Sequence, residues 1–165
     1  MKINLSKKLC IPLLFLMVVG WPGLGFAKKV WFSLPKLVES TDLIVVAKCT
    51  LKKDVKTLRV KKDPETQKTR ITKRVKAVLA VEKLLKGEWP LNKPLIFQNE
   101  ESNYWREDAT KLPSPGARVL LFLAREEDGS LWFVNGNNGI KFLDADKEGE
   151  ELLKEVEDLI AKKTK

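Results

Sequence analysis

The sequence predicts a mainly β domain with a helix near each end. Residues 43–51 and 71–81 alternate apolar and polar side chains, which is the period of a half-buried strand. Clusters of Gly, Pro, Asn and Asp separate these segments from further short apolar runs. The last segment instead repeats its apolar residues at helical spacing. Five or six short strands between two helices favour a closed or nearly closed Greek-key barrel over a two-sheet sandwich.

Each predicted element follows from a local signal. A short helix is expected over residues 33–40, because Ser33 suits an N-cap and Pro35 falls in the first turn, where its missing N–H does no harm. Residues 52–68 are expected to form a polar connection with a turn at Asp63 and Pro64. A longer helix is expected over residues 147–162, where apolar residues form one stripe. The strands are expected at residues 43–51, 71–81, 94–98, 118–124, 131–134 and 140–143.

The first 27 residues predict a secretory signal peptide. Three lysines and no acid precede an apolar run over residues 9–19, and Gly25 and Ala27 place small residues where such peptides are cut. Cleavage is expected between Ala27 and Lys28, which would leave 138 of the 165 residues and lower the formal net charge from +9 to about +6. We expect the chain to be secreted or periplasmic in a bacterium, with no stable membrane span after cleavage. The alternative is a retained anchor, because no charge interrupts residues 9–27.

The composition excludes several classes of enzyme. His is absent from the chain, which removes the commonest general base at neutral pH and the commonest metal ligand. Nucleophile systems that depend on His are excluded in their usual form. Cleavage would leave Cys49 as a single thiol, too few for a zinc site or an internal disulfide. We expect Cys49 to be a buried core residue, with an intermolecular disulfide or a reactive thiol as alternatives. We also expect that the protein is not an enzyme and needs no cofactor or metal.

Three segments and one late motif carry a resemblance to a known family. They are residues 37–47 (LVESTDLIVVA), 81–87 (VEKLLKG), 115–123 (PGARVLLFL) and 138–140 (NGI). In this order they resemble small secreted bacterial proteins with an OB-like barrel, a type similar to the netrin module and the tissue inhibitors of metalloproteinases. The resemblance implies one such domain over residues 28–165. Those inhibitors present an N-terminal cysteine to the metal of the enzyme, whereas this chain would begin with Lys28, so their mechanism does not carry over.

The first two long strands predict a basic surface. Even positions outside the core face carry Lys48 and Lys52 on the first strand and Arg70, Arg74 and Lys76 on the second, and further basic residues follow in the predicted connection. Such a surface suits a polyanion, an anionic lipid surface or an acidic protein partner. The alternative is a solvated face whose lysines protect the edge of the sheet. We do not expect nucleic acid as the partner, because an exported chain rarely meets it.

An aromatic segment provides the second candidate. Tyr104, Trp105 and Arg106 lie together in the longest irregular segment, which is typical of a protein or glycan contact patch. The alternative is that Trp105 closes one end of the barrel, since tryptophan is usually mostly buried.

These features together favour an exported, non-enzymatic binding or interaction module of unknown ligand, which contacts an anionic envelope surface or an exported protein. One alternative is a secreted protein that resembles a protease inhibitor and acts through its loops. Another is an envelope structural protein held to the membrane by an uncleaved signal.

Overall fold

The computed structural model describes residues 32–64, 66–103, 110–143 and 147–163. Within these ranges the chain forms one antiparallel sheet and two α-helices, with a short 3-10 turn at Gly136–Gly139. The helices are α1 (Leu34–Glu39) and α2 (Lys147–Lys163). The strands are β1 (Leu43–Lys62), β2 (Thr69–Lys86), β3 (Leu95–Ser102), β4 (Arg118–Arg125), β5 (Leu131–Phe133) and β6 (Ile140–Phe142). The prediction of a mainly β fold with a short first helix and a longer last helix is confirmed.

The sheet has the strand order β3-β2-β1-β4-β5, and β6 also pairs with β4. Hydrogen-bonded pairing does not continue from β5 back to β3 in the described part of the chain, so the sheet is not closed into a barrel. The two end strands still meet through side chains, because the rings of Phe97 on β3 and Phe133 on β5 lie 4.5 Å apart between centroids. The sheet therefore curls strongly, as a twisted antiparallel sheet of this size tends to do.

The curled sheet buries apolar side chains on both faces. The concave face holds the larger cluster, in which alternate residues of four strands meet Leu112 from the β3–β4 connection. The other face packs against α1 and α2, where Ile44, Val46 and Phe122 are fully buried. Burial on both faces explains the continuous apolar run of β4 and the absence of alternation there.

Both helices lie where the sequence predicts them. Pro35 lies in the first turn of α1 and Ser33 occupies the N-cap position, but the Ser33 side chain makes no capping hydrogen bond. The ammonium of Lys86, from the end of β2, donates to the carbonyl oxygens of Val38, at 2.8 Å, and Thr41. A cation that satisfies unpaired carbonyls at a helix C-terminus is favourable for both hydrogen bonding and the helix dipole. In α2, Leu153 and Val156 of the predicted stripe are buried against the sheet.

The prediction of a polar connection over residues 52–68 was wrong. β1 continues to Lys62 and β2 begins at Thr69, so the turn occupies only residues 63–68. Beyond Cys49 nearly all of β1 is exposed, which leaves no apolar alternation for a sequence pattern to detect. The hairpin formed by β1 and β2 is held together there by cross-strand pairing rather than by the core.

The predicted signal peptide, with its cleavage point between Ala27 and Lys28, lies outside the described residues, as do Tyr104, Trp105 and Arg106. These assignments stay predictions. In the described ranges, no helix is long and apolar enough to span a bilayer.

Candidate functional site

The outer half of the β1–β2 hairpin contains three one-residue bulges. The pairing steps from Cys49–Leu79 to Leu51–Val78, and it shifts again after Asp54 and after Thr57, each time with one extra residue on β1. The extra residue of a bulge has no partner of its own, so the residues after it lie on the face opposite to that expected for regular alternation. β2 pairs with β3 without any shift over residues 72–79. The face of each β1 residue is therefore fixed by its partner on the regular strand β2.

One face of this hairpin holds most of the basic residues of its two strands, whereas Lys52, Lys62 and Lys73 lie on the other face. It is the face opposite the buried side chains of Val75, Ala77 and Leu79. The cross-strand partners Lys53–Lys76, Lys56–Arg74 and Lys61–Arg70 lie on it, together with Lys48 and Arg59, whose partners are Ala80 and Thr72. We call this set the basic outer face: Lys48, Lys53, Lys56, Arg59, Lys61, Arg70, Arg74 and Lys76.

The spacing of these residues along β1 explains why the bulges matter. From Lys48 onward, the basic residues of the outer face are separated by five, three, three and two positions. A regular strand keeps only even separations on one face. Each of the three odd separations contains one bulge, at Thr50, Val55 and Leu58. Regular alternation would divide these lysines and Arg59 between the two faces of the sheet. The bulges bring them to one face.

The basic outer face is long, and within the described part of the chain most of its charges have no ion pair. Its rows run from Ala80 to Arg70, ten residue steps of β2, or about 33 Å at ~3.3 Å per residue. Arg74 forms an ion pair with Glu100 of β3 at 3.4 Å, and both side chains are about half exposed. Six of the eight basic side chains have no ion pair among the described residues: Lys48, Lys53, Lys56, Arg59, Lys61 and Lys76. A concentration of unpaired positive charge on one face produces a field that attracts anions.

Lys52 does not belong to this face, so its predicted position beside Lys48 was wrong. The bulge at Thr50 pairs Lys52 with the buried Ala77, which turns its side chain to the concave face. There its ammonium lies 2.9 Å from Oε2 of Glu101 and donates to the carbonyl oxygen of Leu112 at 2.8 Å. The N–H of Leu112 donates to the other Glu101 oxygen at 2.7 Å. Lys52 is a structural residue that ties β1 to β3 and to the β3–β4 connection.

The same bulge moves Leu51 in the opposite direction. The alternation of residues 43–51 predicts Leu51 on the same face as Cys49, but Leu51 lies on the outer face and is 43% exposed. Its partner Val78 pairs in turn with Ile96 of β3, which is 53% exposed. Leu51, Val78 and Ile96 therefore form an apolar row across three strands of the outer face, which we call the apolar row. Sequence alternation missed it, because the bulge at Thr50 is not visible in the residue pattern.

Cys49 is buried beside this bulge, as predicted. Its Sγ lies 3.4 Å from the carbonyl oxygen of Pro113, and burial raises the pKa of the thiol. The neutral thiol therefore predominates at neutral pH, which makes Cys49 a poor nucleophile in the folded protein.

Aromatic side chains are absent from the hairpin itself. Residues 43–86 contain no Phe, Trp or Tyr. Of the aromatic residues that the structure describes elsewhere, Trp132 on β5 is 59% exposed and donates to the Ser130 hydroxyl at 3.1 Å. The β1–β2 hairpin therefore supplies no ring of its own on which a nucleic-acid base could stack.

A pocket lies near the other end of β1. An open pocket of about 560 Å³ is lined by Asp42, Glu88, Trp89, Pro90 and Arg125. The Arg125 backbone N–H donates to the Asp42 carboxylate at 2.8 Å, and its guanidinium donates to the Glu88 carbonyl oxygen at 3.2 Å. These contacts join the ends of β2 and β4 to the start of β1. Among the described residues there is no group of three or more His, Cys, Asp or Glu side chains placed to hold a metal.

Comparison with known proteins adds no assignment. No protein-family model matches this chain, and no curated protein matches it.

Proposed function

We propose that this protein is an exported, non-enzymatic binding module that attaches to anionic ligands through its basic outer face. The observation that carries the proposal is the coincidence of the three bulges with the three odd spacings of basic residues on β1. Lysines that only keep a sheet edge soluble serve equally well on either face. A strand that uses three bulges to place five of its seven basic side chains on one face concentrates charge as a binding surface does.

The architecture supports the same proposal. We infer a partly open OB-like barrel, in which the contact of Phe97 with Phe133 replaces hydrogen-bonded closure between β3 and β5. OB-folds commonly bind their ligands through the face of strands 2 and 3 and the loop between strands 1 and 2. In this protein that loop is extended into the β1–β2 hairpin, and the basic outer face runs along it. The absence of rings on the hairpin favours binding by charge rather than by base stacking.

Charge reversal tests the proposal. The variant Lys53→Glu, Lys56→Glu, Lys76→Glu changes three residues of the basic outer face, none of which has an ion pair among the described residues. We expect binding to dextran sulfate to weaken at least about 100-fold, at roughly 1 kcal/mol per basic residue near an anionic surface. Binding of the unchanged protein should fall steeply as salt is added, because exposed charges are screened.

A matched control distinguishes the contribution of this face to binding from that of the net charge of the protein. The variant Lys111→Glu, Lys154→Glu, Lys162→Glu makes the same change in charge at three exposed lysines outside the hairpin. We expect it to bind dextran sulfate much as the unchanged protein does. Equal losses in the two variants would show that the protein responds only to its overall charge, and the proposed function would be abandoned.

A further inference from the structure

The apolar row lies within the basic outer face rather than beside it. The Lys48–Ala80 pair precedes the row, and the Lys53–Lys76 pair follows it, with the Lys56–Arg74 pair after that. From Ala80 to Arg74 these rows cover six residue steps of β2, about 20 Å at ~3.3 Å per residue. Aliphatic side chains and lysines that have no ion pair among the described residues thus share one patch.

A soluble polyanion would leave the apolar row unused. Sulfate and phosphate groups interact with the lysines, but they offer nothing to Leu51 and Ile96, which are about half exposed. An anionic bilayer offers both kinds of contact, since its headgroups attract basic residues and the boundary with the acyl chains accepts aliphatic ones. Lysine side chains can extend to the headgroups while neighbouring aliphatic groups lie deeper.

We propose that the ligand of the basic outer face is an anionic lipid bilayer, which the protein contacts peripherally with the apolar row inserted at the headgroup boundary. This inference rests on the proposed function, because the basic residues provide the attraction. Neither a lysine nor an aliphatic side chain alone gives stable attachment, since peripheral binding generally combines charge with buried apolar area.

The test measures co-sedimentation with vesicles of phosphatidylcholine that contain phosphatidylglycerol, against vesicles of phosphatidylcholine alone. The variant Leu51→Ser, Ile96→Ser should bind the anionic vesicles about tenfold more weakly, because two partly exposed aliphatic side chains no longer leave water. Its binding to dextran sulfate should be unchanged. Leu51→Met, Ile96→Met restores the apolar area and should restore vesicle binding.

Leu91→Ser is the matched control, since Leu91 is 57% exposed in the turn after β2, outside the hairpin. We expect it to leave vesicle binding unchanged. All variants contain the same residues 1–27. A difference in vesicle binding between them therefore comes from the substituted side chains and not from that segment. Their unfolding midpoints should agree, because each changed side chain is exposed.

The outcomes separate this inference from the function on which it rests. If the unchanged protein binds dextran sulfate but not anionic vesicles, the ligand is a soluble polyanion. The bilayer inference then fails, while the proposed function stands. Vesicle binding that is the same in the Ser variant, or that does not depend on phosphatidylglycerol, also overturns it. If neither dextran sulfate nor vesicles are bound, the proposed function fails with it.

Discussion

At the scale of single residues, Lys52 and Lys53 are neighbours in the chain on opposite faces of the sheet. Lys52 is only 16% exposed and shares a network with Glu101 and the backbone of Leu112, whereas Lys53 is exposed beside Lys76. Their difference depends on the bulge at Thr50, which changes the phase of the strand. Residue type says nothing about this difference, so the sequence alone assigned Lys52 to the wrong face.

The same substitution is expected to lower the stability of the protein much more at Lys52 than at Lys53. Lys52→Met should lower the free energy of unfolding by about 1–3 kcal/mol, because the carboxylate of Glu101 loses a charged hydrogen-bond partner in a largely buried place. Lys53→Met should change it by less than about 0.5 kcal/mol, as expected at an exposed site. Urea denaturation of the two variants measures the difference.

The effects of the two substitutions on ligand binding should be in the opposite order. Lys53→Met removes one cation from the basic outer face and should weaken binding to dextran sulfate about fivefold, at roughly 1 kcal/mol per basic residue. Lys52→Met should leave binding nearly unchanged. If Lys52→Met weakened binding as much as Lys53→Met, the assignment of Lys52 to the concave face would be wrong.

At the scale of elements, the sequence was most informative where one face is buried. The beginning of β1, the part of β2 from Val75 onward, the strand β4 and the helix α2 all have apolar patterns that follow from contact with the core, and all were predicted. The outer half of the hairpin was missed because both of its faces meet solvent. Only cross-strand hydrogen bonds define it as β-structure. Bulges leave no clear mark in a single sequence. The odd spacings of the basic residues were the available signal, and they have meaning only once the strand is known to continue.

The end of β2 depends on Gly87, whose φ of 82° is in the left-handed region that favours glycine. A Cβ at Gly87 would also collide with the carbonyl oxygen of Asp42. Gly87→Ala should therefore lower the free energy of unfolding by more than about 2 kcal/mol, since the left-handed conformation alone costs roughly 1–2 kcal/mol.

Gly129 provides the control for that prediction. Its φ of 83° is nearly the same, but nothing lies within 4 Å of the position of its missing Cβ. Gly129→Ala should cost only the conformational part, about 1–2 kcal/mol. Equal losses of stability in the two variants, measured by thermal denaturation, would exclude a role for the close approach to Asp42.

At the scale of the whole molecule, the core and the candidate site are separate parts of the same sheet. Across the two apolar clusters taken together, the last residue from β1 is Cys49 and the first residue from β2 is Val75. Most of the basic outer face lies nearer the turn of the hairpin, after Cys49 on β1 and before Val75 on β2. Stability and binding should therefore be separable, as they are when function is added to a fold rather than built from its core.

Shortening the hairpin tests this separation. Asp54 and Val75 are cross-strand partners, so residues 55–74 can be replaced by Asn-Gly, which favours a two-residue hairpin turn. We expect a shortened protein that unfolds in a cooperative thermal transition but binds dextran sulfate at least about 100-fold more weakly, because five residues of the basic outer face are gone at roughly 1 kcal/mol each. Loss of cooperative unfolding would mean that the outer hairpin is part of the stable core.

We expect one face of the β1–β2 hairpin, arranged by three bulges, to contact the anionic ligand. Lysine acetylation in the presence and absence of dextran sulfate, read out by mass spectrometry, tests it most directly. We expect the ligand to protect Lys48, Lys53, Lys56, Lys61 and Lys76, while Lys93, Lys154 and Lys162 react at the same rate with and without it. Protection spread evenly over both groups, or confined to the second, would contradict the claim.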